Sequence, residues 1–439
     1  GARAMARSFA PVAVVGIFLA VIVGLRIQKR VDIPDHLLGH PGEFVPGLLS
    51  EKVGDDLMRM FKEMKDYPTS TGDQHKIKHQ HIGEAVPVNA DGSCSDPFLV
   101  PFNKTLCVFP GRADIGRHFV LGGGVQALKE SYERMISRVQ SFGRYIFNLH
   151  EHPVVERLFA DKTFLTAAKK ICPKDQQVLD PFQFNFIVQI PGQTVALHLD
   201  APYFWGATRF EVPQWLLTSM VGSGLFLDRF VNQVQVVGYF HRWNDTDRDG
   251  DFIYWDENTP EFKKVPSQAL AGSAVDGSKV VHAANIYMEK VKPPVFSKDE
   301  KNVLSYLGDD KWTLFNQDKP LQNYTTDDLR CTIVYRARCF ATDADKKKFN
   351  ALPDNEYLEL DYILETMRAD MEKKGVWSGP IVPEGQSQNA PEYYRKFGLK
   401  IMDTYQPLPL SPHALIPYNY CALPRLVPAL KPLFSLFCD

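Results

Sequence analysis

Between about positions 183 and 341 the apolar residues come in short runs rich in β-branched and aromatic side chains. These are FQFNFIVQI, QTVALHLD, QVQVVGYFHRW, DFIYWDE, KVVHAANIY and LRCTIVYRARCF, each separated from the next by turn residues. A succession of short strands with turns between them predicts a sandwich or barrel. This block is the part of the chain whose folding options are narrowest.

Helical spacing flanks it. Leu57, Met60, Phe61 and Met64 predict a helix over 51–66, and Gly122-Gly123-Gly124 precedes a long helical pattern from Val125 to about Leu149. A further helix is expected from Val154 to Lys170 and another from Tyr357 to Lys373, before a proline-rich apolar end, ALPRLVPALKPLFSLF, expected to pack on the core. The fold class is therefore α+β. The expected divisions are 1–30 (anchor and short tail), 31–110 (stem and irregular region), 111–345 (helices plus β core) and 346–439 (helical and proline-rich extension).

Residues Ser8 to Leu25 form an uncharged apolar run of 18, at the lower end of the roughly 17–25 needed to span a bilayer core. A retained N-terminal transmembrane helix is favoured over a cleaved signal peptide, because no small-x-small site follows before the basic cluster at Arg26, Lys29 and Arg30. Three acceptor sequons, at Asn103, Asn244 and Asn323, fit a bulk in the ER or Golgi lumen, or a secreted protein if the segment is cleaved. With 50 Lys+Arg against 52 Asp+Glu, the overall field gives no reason to expect a nucleic-acid partner. Seven cysteines are too few for a disulfide-built scaffold, and their odd number leaves at least one unpaired within the chain. Cys94 and Cys107 are candidates for a small disulfide loop. Cys331 and Cys339, in one strand, would lie about 26 Å apart and cannot join each other.

Within the β block, TVALHLD places His198 and Asp200 at i and i+2, on one face of a strand. An imidazole and a carboxylate projecting together supply two ligands to one divalent ion. The strand VVHAA, after the Asp276-Gly277 turn, offers a third in His282. Two histidines and one carboxylate form the facial triad of non-haem iron sites, which leaves positions open for a co-substrate and O2. Each strand histidine taken alone is more often a core residue than a ligand.

With these pieces in order, the stretch 183–341 resembles the iron(II)/2-oxoglutarate-dependent oxygenases, among them the lumenal, membrane-anchored prolyl 4-hydroxylase-like enzymes. The resemblance rests on IPGQTVALHLD, GDFIYWDE, VPSQALAGSAVDGSKVVHAANIY and LRCTIVYRAR, and covers a little over a third of the chain. It implies a double-stranded β-helix, or jelly roll, holding Fe(II) through His198, Asp200 and His282. It also implies the co-substrates 2-oxoglutarate and O2, with ascorbate as an accessory, and hydroxylation of an unidentified protein or small-molecule substrate. Arg330 is implied to pair with the C5 carboxylate of oxoglutarate, helped by Thr332; a guanidinium fork suits that role because it stays charged when buried. Arg336 falls on the same strand face and is expected to reach into the barrel. Gln189, with Asn185, is a candidate for hydrogen bonds to the co-substrate.

One spacing departs from the family. Arg330 lies 48 positions beyond His282, so residues 291–328 must form an insertion between two barrel strands. Lys292 has the spacing of the lysine in prolyl 4-hydroxylases, but Pro293 and Pro294 fit poorly in a central strand, which favours Arg330. The rival readings are a jelly-roll protein that binds metal or ligand without catalysis, and a membrane-surface protein whose strand histidines are merely core. The run Asp245 to Asp256 resembles a calcium loop without its flanking helices, so an acidic hairpin turn is preferred. The patches His75/His79/His81 and His150/His152 read as solvated. The insert 201–226, with Tyr203, Phe204, Trp205, Phe210 and Trp215, is expected to wall a pocket or to pack helices onto the barrel.

Overall fold

The structure is a computed structural model. It describes residues 32–69, 82, 86–90, 94, 99–101, 104–109, 132–259, 261–296, 300–407, 421, 429 and 432. The apolar segment 8–25, the His75/His79/His81 patch, Asn103, the triple glycine and most of the proline-rich end lie outside the described residues. Among the described residues no helix is long and apolar enough to cross a membrane.

Strand β1 (Glu43–Val45), helix α1 (Glu51–Met64) and strand β2 (Asp66–Pro68) come first. The Ser50 hydroxyl accepts a hydrogen bond from the Val53 amide and so caps α1, whose Leu57, Met60 and Phe61 are buried. Helix α2 (Tyr132–Val139), strand β3 (Phe142–Ile146) and helices α3 (Pro153–Ala160) and α4 (Lys162–Ile171) follow. The helical pattern expected from Val125 to Leu149 is thus cut short at Val139. Phe142 to Ile146 instead pair with a barrel strand, an alternative that local periodicity does not register. The single helix expected over 154–170 is divided at Asp161, whose carboxylate accepts the amides of Thr163 and Phe164 and starts α4.

The barrel itself comprises β4 (Val178–Gln189), β5 (Val195–His198), β6 (Gln233–Tyr239), β7 (Phe252–Trp255), β8 (Lys263–Val265), β9 (Gly272–Val275) and β10 (Val281–Ala284), with helix α5 (Gln214–Ser223) between β5 and β6. Next come β11 (Asn302–Gly308), β12 (Lys311–Asn316) and β13 (Lys319–Tyr324), then the last barrel strand β14 (Arg330–Phe340) and helices α6 (Asp343–Asn350), α7 (Leu360–Lys373) and α8 (Ala390–Tyr405). Strand order is β1-β9-β6-β14-β4-β3 in one sheet and β8-β7-β10-β5 in the other. Successive barrel strands alternate between the two sheets except at the β7–β8 hairpin, and neighbours run antiparallel. That is the double-stranded β-helix expected from the sequence.

Period-2 alternation decides what each face does. On β14, Cys331, Ile333, Tyr335 and Ala337 point outward into an apolar layer, while Arg330, Thr332, Val334 and Arg336 line the interior. On β4, Phe184, Phe186 and Val188 point outward and Gln183, Asn185 and Ile187 inward. The outer face of the larger sheet is covered by α1, α3 and α4 through Phe61, Phe159 and Phe164. The outer face of the smaller sheet, through Leu197, Ile253, Trp255 and Val281, is covered by α5, α7 and α8. Burying each such side chain contributes on the order of 1.5–3 kcal/mol, so the apolar driving force acts on the outer faces and leaves the barrel interior polar.

The insertion between β10 and β14 is a three-strand meander that adds β2 as its fourth strand. Trp312 from the meander stacks on Phe61 at 4.5 Å, and Phe61 also touches Phe186 and Phe240 of the barrel, which fixes the insertion to α1 and the large sheet. Cys94 and Cys107 form the expected disulfide, and Cys331 is free and buried. A second disulfide, Cys172–Cys339, ties the end of α4 to the end of β14 across 167 residues. Replacing Cys172 and Cys339 together by alanine should lower unfolding stability by roughly 2–4 kcal/mol, read from urea denaturation of the oxidised protein. No change would mean that the link constrains neither the unfolded chain nor the helix layer.

Candidate metal centre and its cavity

The cavity lies between the two sheets and encloses about 190 Å³. His198 ends β5 and His282 lies in β10, directly opposite it in the antiparallel register, with ring centroids 4.2 Å apart. Asp200 lies two residues past the end of β5, and its amide is held by the Gly277 carbonyl at 2.8 Å. His198 Nε2 is 3.6 Å from Asp200 Oδ1, and His282 Nε2 is 3.7 Å from Oδ2. One donor atom from each of the three side chains lies within 4.8 Å of the others. Cis ligands about 2.1 Å from a common ion are about 3 Å apart, so the spacing is close to that of a facial set.

The donor chemistry also fits a cation. Each histidine Nδ1 is 2.8 Å from a backbone carbonyl, that of Ala196 for His198 and that of Val280 for His282. A carbonyl only accepts, so each Nδ1 carries a proton, which leaves the Nε2 of each ring, the atom nearest the carboxylate, as the one that could ligate an ion. Asp200 Oδ2 is buried without a hydrogen-bond partner. The three side chains are only 5–9% exposed. Lone pairs gathered this closely away from water are costly unless a positive charge sits among them. Burial alone would raise the Asp200 carboxyl, but the Arg336 guanidinium holds it well below the usual carboxylate range.

Arg336 donates to Asp200 Oδ1 at 2.5 Å. Arg336 lies inside the barrel, as its strand face predicts, with its guanidinium on the carboxylate of the triad. Gly277, read from sequence only as half of a turn, has a steric duty: a Cβ on it would lie 2.2 Å from Asp200 Oδ2. Its signal in the sequence was the Asp-Gly pair ahead of the histidine strand.

Arg330 lines the same cavity and is 3% exposed. It donates to Gln189 Oε1 at 2.5 Å and to Thr332 Oγ1 at 3.1 Å, and its guanidinium lies 5.1 Å from the Tyr239 ring centroid. No carboxylate among the described residues pairs with it, and Arg330 Nε and Gln189 Nε2 are buried without partners. Asn185 accepts from Gln183 at 2.9 Å. Lys292 is exposed and does not line the cavity.

Four acids of the Asp245–Asp256 loop pair with basic side chains. Asp245 pairs with Arg248, Asp249 and Asp251 with Lys264, and Asp256 with Lys263. Among the described residues the His198/Asp200/His282 group is the only cluster of three such side chains that gathers metal-ligand atoms. His150 pairs with Glu156 at an exposed position. Asn244 and Asn323 are exposed, as a sequon requires, but each engages a neighbour, the Ala269 amide and the Thr313 hydroxyl. In the 201–226 insert, Tyr203, Phe204 and Trp215 are buried packing residues, whereas Phe210 is exposed.

Below Arg330, the His241 ring stacks on Trp243 at 3.7 Å and its Nε2 donates to the Ser267 carbonyl. Burial pushes His241 down from its ordinary 6.5 to about 3. The folded protein holds the ring neutral where an unfolded chain protonates it. Its contribution to stability is therefore full above pH 6.5 and is lost as pH falls from 6.5 towards 3. His241→Gln should flatten the pH dependence of unfolding stability in that window by up to one proton, measured by urea titration at stepped pH. A slope identical to that of the parent protein would contradict the assignment.

No family model and no curated protein sequence matches the chain. Among solved structures it is similar to HygX from Streptomyces hygroscopicus with nickel and 2-oxoglutarate bound, at 9% identity, 68% coverage of this chain, 82% of that one and a TM-score of 0.29. It is also similar to a Pseudomonas putida prolyl-4-hydroxylase, at 11% identity, 73% and 97% coverage and a TM-score of 0.30. A third is SnoN, a non-heme alpha-ketoglutarate-dependent epimerase of nogalamycin biosynthesis, at 9% identity, 72% and 82% coverage and a TM-score of 0.29. These likenesses are distant. The strand order and donor atoms of the chain itself define it as a double-stranded β-helix with a two-histidine, one-carboxylate cluster inside the barrel.

Proposed function

We propose that the protein is an Fe(II)/2-oxoglutarate-dependent oxygenase, and within that class a hydroxylase. The observation that carries this reading is the pairing, in one cavity, of a cation-fitting donor triad with a buried arginine that lacks an acid. A metal-binding protein without catalysis has use for the first and none for the second. An uncompensated buried charge costs several kcal/mol, which a dicarboxylate co-substrate would offset.

When bound, iron and oxoglutarate supply the oxidising chemistry: O2 is consumed, oxoglutarate becomes succinate and CO2, and one oxygen enters a substrate C–H bond. His198, Asp200 and His282 would hold the ion. The two backbone carbonyls that fix the imidazole tautomers orient its histidine ligands, and Arg336 positions the carboxylate. Arg330, with Thr332 and Gln189, would grip the distal carboxylate of oxoglutarate. Val237, Val334 and Phe252 line the cavity and limit water there.

Purified protein with Fe(II), oxoglutarate, ascorbate and O2 is expected to release succinate, even without substrate. Anaerobic Mn(II) titration should show one tight site that is lost in His198→Ala and His282→Ala. Arg330→Gln should raise the oxoglutarate concentration required by roughly ten- to a hundredfold while sparing Mn(II) binding, the loss expected for one charged hydrogen-bonding group. Absence of both succinate and an oxoglutarate-dependent thermal shift would remove the proposal. Gly277→Ala, by pushing on Asp200, is expected to weaken Mn(II) binding in a protein that still folds; unchanged affinity would show that the carboxylate can move aside freely.

A further inference from the structure

Three arginines line the cavity, Arg330, Arg336 and Arg209, against a single acid, Asp200. Three guanidiniums against one carboxylate leave the walls a surplus of two positive charges. A divalent ion and the dianion of oxoglutarate cancel each other, so loading the site as proposed above leaves that surplus in place. Arg336 is engaged with Asp200, and Arg330 would be engaged with the co-substrate. The remaining cation is Arg209.

Arg209 is held but not neutralised. Its Nη1 donates to Gln183 Oε1 at 3.1 Å, and Gln183 in turn donates to Asn185. Its guanidinium lies 5.1 Å from the Phe147 ring centroid and 5.3 Å from that of Phe210. No carboxylate among the described residues forms an ion pair with it. Phe147 and Phe210 are 55% and 62% exposed, and Tyr145, which lines the cavity, stacks near Phe147 at 45% exposure. An apolar rim of this kind at a cavity mouth gains from being covered. Further in, the Gln140 and Gln235 side-chain carbonyls line the cavity as buried acceptors without donors.

We propose that the cavity takes a substrate bearing an anionic group, a carboxylate or a phosphate, and that Arg209 is the specificity residue that recognises it. This rests on the oxygenase reading of the same cavity. The aromatic rim lies over an apolar or ring portion of the substrate, and Gln140 and Gln235 accept hydrogen bonds from its hydroxyl or amino groups. A rigid guanidinium already fixed by Gln183 and two rings loses little freedom on gripping an anion.

The test uses matched ring probes that differ in charge: phenylacetate against phenylacetamide, and phenyl phosphate against phenol. Binding is followed by calorimetry under argon in protein saturated with Mn(II) and oxoglutarate, and again in the metal-free protein. Each anion is expected to bind roughly ten- to a hundredfold tighter than its neutral partner, with the preference weakened by salt. That preference should vanish in Arg209→Gln and persist in part in Arg209→Lys, both checked for an unchanged melting temperature. The two anions separate a carboxylate from a phosphate site. Equal binding of anion and neutral probe, no binding of either anion, or a preference that survives in Arg209→Gln overturns the proposal. So does a raised oxoglutarate requirement in Arg209→Gln, which would make Arg209 part of the co-substrate clamp. If Mn(II) and oxoglutarate fail to bind while the metal-free protein keeps the Arg209-dependent preference, the oxygenase reading falls and the anion site remains.

Discussion

The pairing of β10 with β5 sets His282 directly across from His198, ahead of a register shift that sets Ala284 across from Val195. Because side chains alternate with a period of two, a slip of one residue would send one imidazole to the outer face. The register is protected by the outer face itself. Val281 and Ala283, the neighbours of His282, and Leu197, the neighbour of His198, lie in the apolar layer under α5, α7 and α8. A slipped strand would have to bury histidine in that layer and turn valine into the cavity. Hydrophobic packing outside the barrel thereby fixes polar geometry inside it.

The same division recurs on the larger sheet. Aromatic side chains from α1, α3 and α4 and from the inserted meander press on its outer face, with Phe61 touching Tyr67, Phe186, Phe240 and Trp312. The inner face presents arginine, glutamine, asparagine and threonine. An interior of this kind contributes little to stability and carries buried charge at a cost. The helical layers and the Cys172–Cys339 link supply the rigidity that lets such an interior persist. Arg330 and Arg209 share one arrangement: a guanidinium kept in place by neutral hydrogen bonds and aromatic faces, with no carboxylate among the described residues paired to it.

Much of the centre was legible because its signals are local. His198 and Asp200 are two apart, Arg330 and Thr332 are two apart, and alternation predicts which residues share a face. Two prolines set Lys292 apart from a central strand; it is exposed, whereas Arg330 lines the cavity. What was not legible depends on distant partners. The pattern through Phe142 and Ile146 suits a helix as well as a strand until β4 lies beside it. Cys172 finds Cys339 only once α4 packs beneath the end of β14. The steric duty of Gly277 exists only because Asp200 lies against it, and Arg209 sits in a segment whose sequence suggests nothing beyond aromatic packing.

By itself the sequence determined that a β-rich core with two histidines and an acid would be wrapped in amphipathic helices, since periodicity and turn residues are properties of neighbouring positions. Only the tertiary structure decided that donor atoms more than eighty positions apart meet within 4.8 Å, and that three arginines share one cavity with one acid. The reason is physical. Which side chains converge is fixed by strand order and register, and those are set by the packing of the whole outer surface of the barrel, which no single stretch of the chain contains.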